Sequence, residues 1–168
     1  MNKETDRLTI RKYTPADFEA YAALMADPEV MKFSLTGPMS RQEAQAHFQK
    51  KVLEPYELYR FGRWALEHKK DRKIIGFAGL SYEEIDGEEK IELGYRLLPA
   101  YWGKGLAYEA LELICNYAFS ELKLADLVAI IEPENIRSIR LAERVGMKPL
   151  KETQFYHKHV VIYARFAS

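Results

Sequence analysis

A strand that ends in two closely spaced glycines and passes straight into a helix leaves few folds open. Here that stretch is Pro99-Ala100-Tyr101-Trp102-Gly103-Lys104-Gly105-Leu106-Ala107. A strand-like run, Lys90 to Leu97, leads into it, and an amphipathic helical pattern starts at Leu106. Glycine lets the backbone turn without a Cβ clash and approach a ligand closely. The first amides of a helix have no intrahelical partner and sit at the positive end of its dipole. The stretch therefore reads either as a phosphate seat or as a plain tight turn. It is not a Walker loop, because G-x-x-x-x-G-K-[ST] is absent. Nor is it a dinucleotide G-x-G-x-x-G, because Tyr108 stands where the last glycine belongs.

The remaining elements follow from periodicity and caps. Leu8 to Arg11 alternates as a first strand. Thr14-Pro15-Ala16-Asp17 starts a helix with Phe18, Tyr21, Ala22 and Met25 on one face, ended by Asp27-Pro28. Ser40 and Glu43 are spaced as a capping box for a second helix, with Pro55 expected to close it. Three strands follow, Arg63–Glu67, Ile74–Leu80 and Lys90–Leu97, the last two joined through an Asp86-Gly87 hairpin signal. After the helix from Leu106 comes the apolar run Leu127–Ile131, read as a strand buried on both faces. Asn135 caps a further helix, Gly146 stops it, and Leu150–Tyr156 and Val160–Phe166 complete the pattern. The order β-α-α-β-β-β-α-β-α-β-β predicts an α+β fold, a mixed sheet covered by helices on both sides.

A chain of 168 residues is expected to form one domain, residues 1–168, with a core that needs no staples. Lys plus Arg and Asp plus Glu each number 25, so there is no basic excess to favour nucleic acid. The single cysteine, Cys115, can form no internal disulfide and points to a reducing compartment. With no apolar leader and no run long enough to span a bilayer, the expected setting is the cytoplasm, away from membranes. No His, Cys or Asp cluster has metal-ligand spacing, so no metal is expected.

Two stretches together carry a family resemblance: Glu92-Leu93-Gly94-Tyr95-Arg96-Leu97 running on through Ala107, and Asn135-Ile136-Arg137-Ser138 followed by Glu143-Arg144-Val145-Gly146-Met147. The pair resembles the GNAT N-acetyltransferase superfamily over essentially the whole chain. The opening, Arg7-Leu8 to Arg11 and then Asp27-Pro28-Glu29-Val30-Met31, is similar to the branch of bacterial ribosomal-protein N-terminal acetyltransferases. The resemblance implies acetyl-CoA held between two parallel strands that splay apart, Lys90–Leu97 and Leu127–Ile131. Its pyrophosphate would rest on the amides of Trp102, Gly103, Lys104, Gly105, Leu106 and Ala107. Backbone groups near Tyr95 and Leu97 would pair with the pantetheine arm as an added strand does, and an amide there would polarise the thioester carbonyl. Trp102 stands where the family usually has Gln or Arg, a change that matters little when the contacts are to backbone.

Asn135 and Ser138 match the family's N-x-x-S, whose residues reach the pantetheine or the sulfur. Read as residues alone, Asn135 is an N-cap and Ser138 a solvent-facing helical serine. Many relatives place a tyrosine seven residues after this Asn to reprotonate the leaving thiolate. This chain has Ala142 there, which leaves Ser138 as the candidate acid. The base must deprotonate an amine. An α-amine titrating near ~7.8 costs about 1 kcal/mol to deprotonate at neutral pH, and a lysine near ~10.4 roughly 4–5 kcal/mol. Glu92 is the carboxylate chosen as base, with Glu89, Glu132 and Glu134 as alternatives and a surface ion pair as the plain reading of Glu92. Phe61 and Trp64 are candidates for the acceptor pocket or the core, and Tyr156, His157 and His159 for its border or for plain surface. The expected reaction is direct transfer from acetyl-CoA to an amine acceptor in a ternary complex. That acceptor is a protein N-terminus, or alternatively a small molecule such as a polyamine, amino acid or drug. A non-catalytic acyl-CoA-binding module is the reading from a different class. The chain is expected to work as a monomer or homodimer.

Overall fold

The computed structural model describes all 168 residues. Its strands are β1 (Asn2–Glu4), β2 (Leu8–Lys12), β3 (Arg63–His68), β4 (Lys73–Ile85), β5 (Glu88–Leu97), β6 (Asp126–Ile131), β7 (Lys148–Phe155) and β8 (Lys158–Phe166). They form one mixed sheet in the order β1-β2-β3-β4-β5-β6-β8-β7. The helices are α1 (Phe18–Ala26), α2 (Arg41–Phe48), α3 (Glu54–Leu58), α4 (Leu106–Ser120) and α5 (Ile136–Arg144). The fold class is the expected one. No helix is long and apolar enough to cross a membrane.

The sheet buries both faces. On one, Leu66, Leu80, Leu93 and Leu97 pack with Leu106, Ala110, Leu111 and Ile114 of α4. On the other, Ala65 and Phe77 pack with Tyr21, Leu24 and Met25 of α1 and with Ala44 and Phe48 of α2. Side chains alternate along a strand, so successive residues of β5 serve opposite layers: Leu93, Tyr95 and Leu97 toward α4, and Glu92, Gly94 and Arg96 toward α1. Local signals behave as the sequence leads one to expect. Asp86 and Gly87 both adopt positive φ (51° and 81°) in the β4–β5 hairpin. Gly146, at φ 85°, closes α5, with its amide bonded to Glu143 O and that of Met147 to Ala142 O.

Two expectations are corrected. A short strand, β1, precedes the first expected one and pairs antiparallel with β2; its polar sequence Asn-Lys-Glu carries no hydrophobic period to announce it. Pro55 does not end the second helix. The chain widens into a π turn at Gln49–Leu53, where the Glu54 amide reaches back to Gln49 O, and then continues as α3 with Pro55 in its first turn. The wider π turn accommodates a proline whose ring would clash with the preceding turn of a regular α-helix.

Candidate active site

β5 and β6 run parallel but are in register at one pair, Glu92 opposite Val128. Every other neighbouring pair in the sheet is in register over three residues or more, with bulges in β3–β4 and β7–β8. Beyond Glu92 and Val128 the two strands part, and a cavity of about 410 Å³ fills the opening. From the α4 and α5 side it is lined by Tyr95, Leu111, Asn135, Ser138 and Ala142. From the α1 side it is lined by Arg63, Gly79, Ser81, Glu92, Gly94 and Arg96. The sheet is perforated at this point, and the chamber is open to residues of both layers.

Asn135 is the N-cap of α5, its Oδ1 accepting from the Ser138 amide at 3.3 Å. The cap places Ser138 inward: its Oγ lies 3.1 Å from the Tyr95 hydroxyl, so it does not face solvent. Burial raises the Tyr95 phenol above its ordinary value, while the Ser138 contact pulls the other way. Ala142, where a helical tyrosine would stand, lines the same wall, so the hydroxyl here comes from the strand. The sequence reading gave Tyr95 only a backbone role. A tyrosine on the inward-alternating side of β5, facing a vacant position 142, was the signal available.

Glu92 is enclosed by protein and reaches solvent through the chamber. Burial, then the nearby charge of Glu83, raises its carboxyl to about 7, while Arg63 and Arg96 pull it down. Ser81 Oγ, on the strand beside it, is 3.5 Å from Glu92 Oε2. The alternatives are elsewhere. Glu132 is held by Lys158 at 3.4 Å, and Glu89 and Glu134 are exposed; none of the three lines the chamber. Phe61 and Trp64 are buried in the core, and Tyr156, His157 and His159 are exposed at the β7–β8 hairpin. Glu83 of β4 turns inward, where burial raises its carboxyl.

The glycine turn follows directly on Trp102, which lines the chamber. Gly103 and Gly105 take φ of 71° and 78°, conformations that side chains rarely adopt. The amides of Gly103, Lys104 and Gly105 donate to no backbone carbonyl, and those of Leu106 and Ala107 open α4. Five consecutive donors at a helix N-terminus fit a pyrophosphate. Trp102 departs from the expectation: its amide is used in the turn, donating to Pro99 O at 3.1 Å. Its indole Nε1 donates to Leu97 O at 2.8 Å, and the Arg137 guanidinium stacks on its ring at 3.6 Å. Trp102 and Leu97 line the chamber, whereas Lys104 and Gly105 border a separate surface depression. Arg7 braces the turn from outside, donating to Lys104 O and pairing with Glu109, each at 2.8 Å.

The profile of the Acetyltransferase (GNAT) domain matches residues 7–148. The chain belongs to the GNAT acetyltransferase family. Among its relatives, the uncharacterized N-acetyltransferase p20 of Bacillus licheniformis is 34% identical over 146 residues, 86% of this chain and 80% of that protein. The crystal structure of a GNAT-family acetyltransferase from Bacillus anthracis superposes with a TM-score of 0.82 at 25% identity, covering 99% of this chain and 98% of that one. Two more distant structures share the GNAT fold. One is the ribosomal-protein-S5-alanine acetyltransferase of Vibrio fischeri, with a TM-score of 0.78, 18% identity and 99% and 96% coverage. The other is the spermidine N-acetyltransferase of Vibrio cholerae in complex with CoA and spermine, with a TM-score of 0.78, 18% identity and 96% coverage of each chain. As a GNAT acetyltransferase the protein uses an acyl-CoA donor and an amine acceptor.

Proposed function

We propose that the chain, working as one domain over residues 1–168 in the cytoplasm, transfers the acetyl group of acetyl-CoA to an α-amine. A protein N-terminus, the kind of substrate named for the Vibrio fischeri neighbour, is the first candidate. The observation that carries the reading is the perforated sheet. Glu92 reaches the chamber from one layer, Tyr95, Asn135 and Ser138 reach it from the other, and free amides follow Trp102 of its wall at the glycine turn.

Gly103, Lys104, Gly105, Leu106 and Ala107 hold the pyrophosphate through their amides. The backbone of β5 near Tyr95 and Leu97 aligns the pantetheine arm, and Asn135 and Ser138 flank its end. Acetyl-CoA bound in this way supplies the thioester carbon that the amine attacks. Glu92 takes the proton from the incoming amine, directly or through one water. As the new C–N bond forms and the C–S bond breaks, Ser138, backed by the Tyr95 hydroxyl, returns a proton to the sulfur.

The acidity of Glu92 supports the α-amine. A base of about 7 receives a proton from an amine near ~7.8 with about 1 kcal/mol to make up, whereas an amine near ~10.4 leaves roughly 4–5 kcal/mol. A polycation such as spermine fits the chamber poorly, because Arg63 and Arg96 already place two positive charges in it. The test is free-thiol release from acetyl-CoA against a panel of peptides with free N-termini, amino acids, polyamines and lysine-blocked controls. Release with α-amines well above that with lysine side chains and polyamines is the expected result. A preference for polyamines would overturn the acceptor class, and acetyl-CoA binding without release on any amine would leave the non-catalytic binding module.

A further inference from the structure

On the α1 side of the sheet, three strands present one continuous row of side chains. Arg63 of β3 is opposite Gly79 of β4, which is opposite Gly94 of β5. Phe77 is opposite Arg96, and Ser81 is opposite Glu92. Gly94 leaves an empty place in this row, whereas at Gly79 the backbone of Gly62 and Arg63 packs where a side chain would stand. Around the gap stand Arg63, Arg96 and Glu92, all lining the chamber.

The two guanidiniums are unusual in what they do not touch. Arg96 spends one N–H on Val30 O, at 3.1 Å, and Arg63 lies over the Phe77 ring at 5.2 Å. Neither forms an ion pair within 4.0 Å, and the carboxylates that pair elsewhere in the sheet are committed: Asp17 and Glu67 to Arg11, Asp126 to Lys90, and Glu132 to Lys158. A guanidinium presents a rigid fork of N–H donors matched to a carboxylate, and buried charges are ordinarily paired.

The surroundings register the excess of positive charge. Burial, then the charge of Arg63, lowers Arg96 from its ordinary value. His47, whose Nδ1 is 2.7 Å from the Tyr21 hydroxyl, is pushed down to about 4 by burial and then by Arg63, Lys51 and Arg96. Glu92 and Glu83 both feel the charge of Arg63, and burial disfavours the ionised form of both, while Glu29, the other carboxylate of the chamber wall, is exposed. When Glu92 takes the amine proton, the chamber loses the negative charge closest to the guanidiniums.

We propose that Arg63 and Arg96 form a carboxylate subsite in the acceptor half of the chamber, so that the acceptor is an amine that also carries a carboxylate. The amine points to Glu92, and the carboxylate bridges the two guanidiniums across the space left open over Gly94. The carboxylate comes either from a free amino acid or from an acidic side chain in the leading residues of a peptide. This deepens the acetyl-transfer reading above and rests on it.

The experiment measures thiol release at saturating acetyl-CoA for matched acceptors: free amino acids against their amides, and peptides beginning Ser-Glu or Ser-Asp against Ser-Gln or Ser-Asn. The carboxylate partner is expected to have a kcat/KM roughly ten- to a hundred-fold higher, the range for hydrogen bonds to a charged group. Preference confined to the first set identifies a free amino acid, and to the second an acidic peptide end. Arg63→Gln and Arg96→Gln each bring the ratio toward one, Arg96→Lys retains part of it, and acetyl-CoA affinity by calorimetry does not change. Equal rates on acid and amide in the wild-type protein, or a ratio untouched by both variants, would overturn the subsite. Binding of N-acetylglycine against N-acetylglycinamide, by calorimetry on the wild-type protein with CoA, decides the same question without turnover. Tighter carboxylate binding with no thiol release would sustain the subsite while removing the acetyl-transfer reading, and equal binding would remove the subsite.

Discussion

Glu92 stands opposite Val128 at the one position where the parallel strands β5 and β6 are in register. The pair is the vertex of a V whose arms run to Leu97 and Ile131. Anything entering the V from either layer meets Glu92 at its base. The carboxylate therefore owes its position to the sheet, and its acidity to the enclosure that the vertex creates.

Replacing Glu92 by Gln tests both. As general base its removal lowers kcat by about a hundredfold or more. The wild-type rate rises with pH through about 7 as the carboxyl ionises, and the variant loses that limb. Stability moves in the opposite sense. Between the ordinary value of 4.5 and about 7, the folded chain keeps a proton that the unfolded chain has released, so stability falls as pH rises through that window. Above it, Glu92→Gln should be the more stable protein, by roughly 3 kcal/mol at most. Thermal melts at pH 5 and pH 8 read this directly: the gap between variant and wild type opens with rising pH. Unchanged turnover across the pH range would remove Glu92 as base.

In the proposed transfer Ser138 returns the proton and Tyr95 backs it, so the two are expected to rank in that order. Ser138→Ala lowers kcat more than Tyr95→Phe, because the phenol acts through the 3.1 Å contact. The double variant should fall little below Ser138→Ala, which a double-mutant cycle measures. Additive losses would mean the two hydroxyls act separately.

Gly94 separates packing from function. A Cβ there meets nothing nearer than the Glu92 carboxylate at 4.0 Å. Gly94→Ala should leave the melting temperature unchanged or raise it, by the ~0.4–1 kcal/mol that follows from a less flexible unfolded chain. The added methyl enters the acceptor half of the chamber, so KM for the amine rises while KM for acetyl-CoA stays the same. A change in the acetyl-CoA constant instead would place the acceptor elsewhere.

Arg7 tests the glycine turn from behind. Its side chain is half exposed, so its ion pair with Glu109 adds at most ~1 kcal/mol to stability. Its bond to Lys104 O, however, fixes the peptide between the two glycines. Arg7→Ala is expected to melt within a few degrees of wild type and to raise KM for acetyl-CoA several-fold with kcat nearly unchanged. An unaltered KM would show that the turn holds its shape alone.

The layers of the fold were legible wherever one residue type decides local geometry: Asp86-Gly87 at the hairpin, Asn135 and Gly146 at the ends of α5, and Gly103 and Gly105 before α4. Pro55 misled because the π turn before it widens the helix enough to take the proline ring, which a regular α-helix would not. In the site, Glu92 could be placed by alternation along β5 and by the family motif. Arg63 and Arg96 could not, because they come together through the registers of β3 with β4 and of β4 with β5, and no local pattern records such cross-strand neighbours. The Trp102 amide was likewise beyond reach, since its use depends on a single 3-10 turn at Pro99–Tyr101.

The break between β5 and β6 also divides the labour proposed for one small protein. The face that carries Tyr95 and Asn135 would receive the donor. The face that carries Arg63, Phe77 and Gly79 would choose the amine. Substitutions on that second face can retarget the enzyme one residue at a time while the acetyl group continues to arrive by the same route.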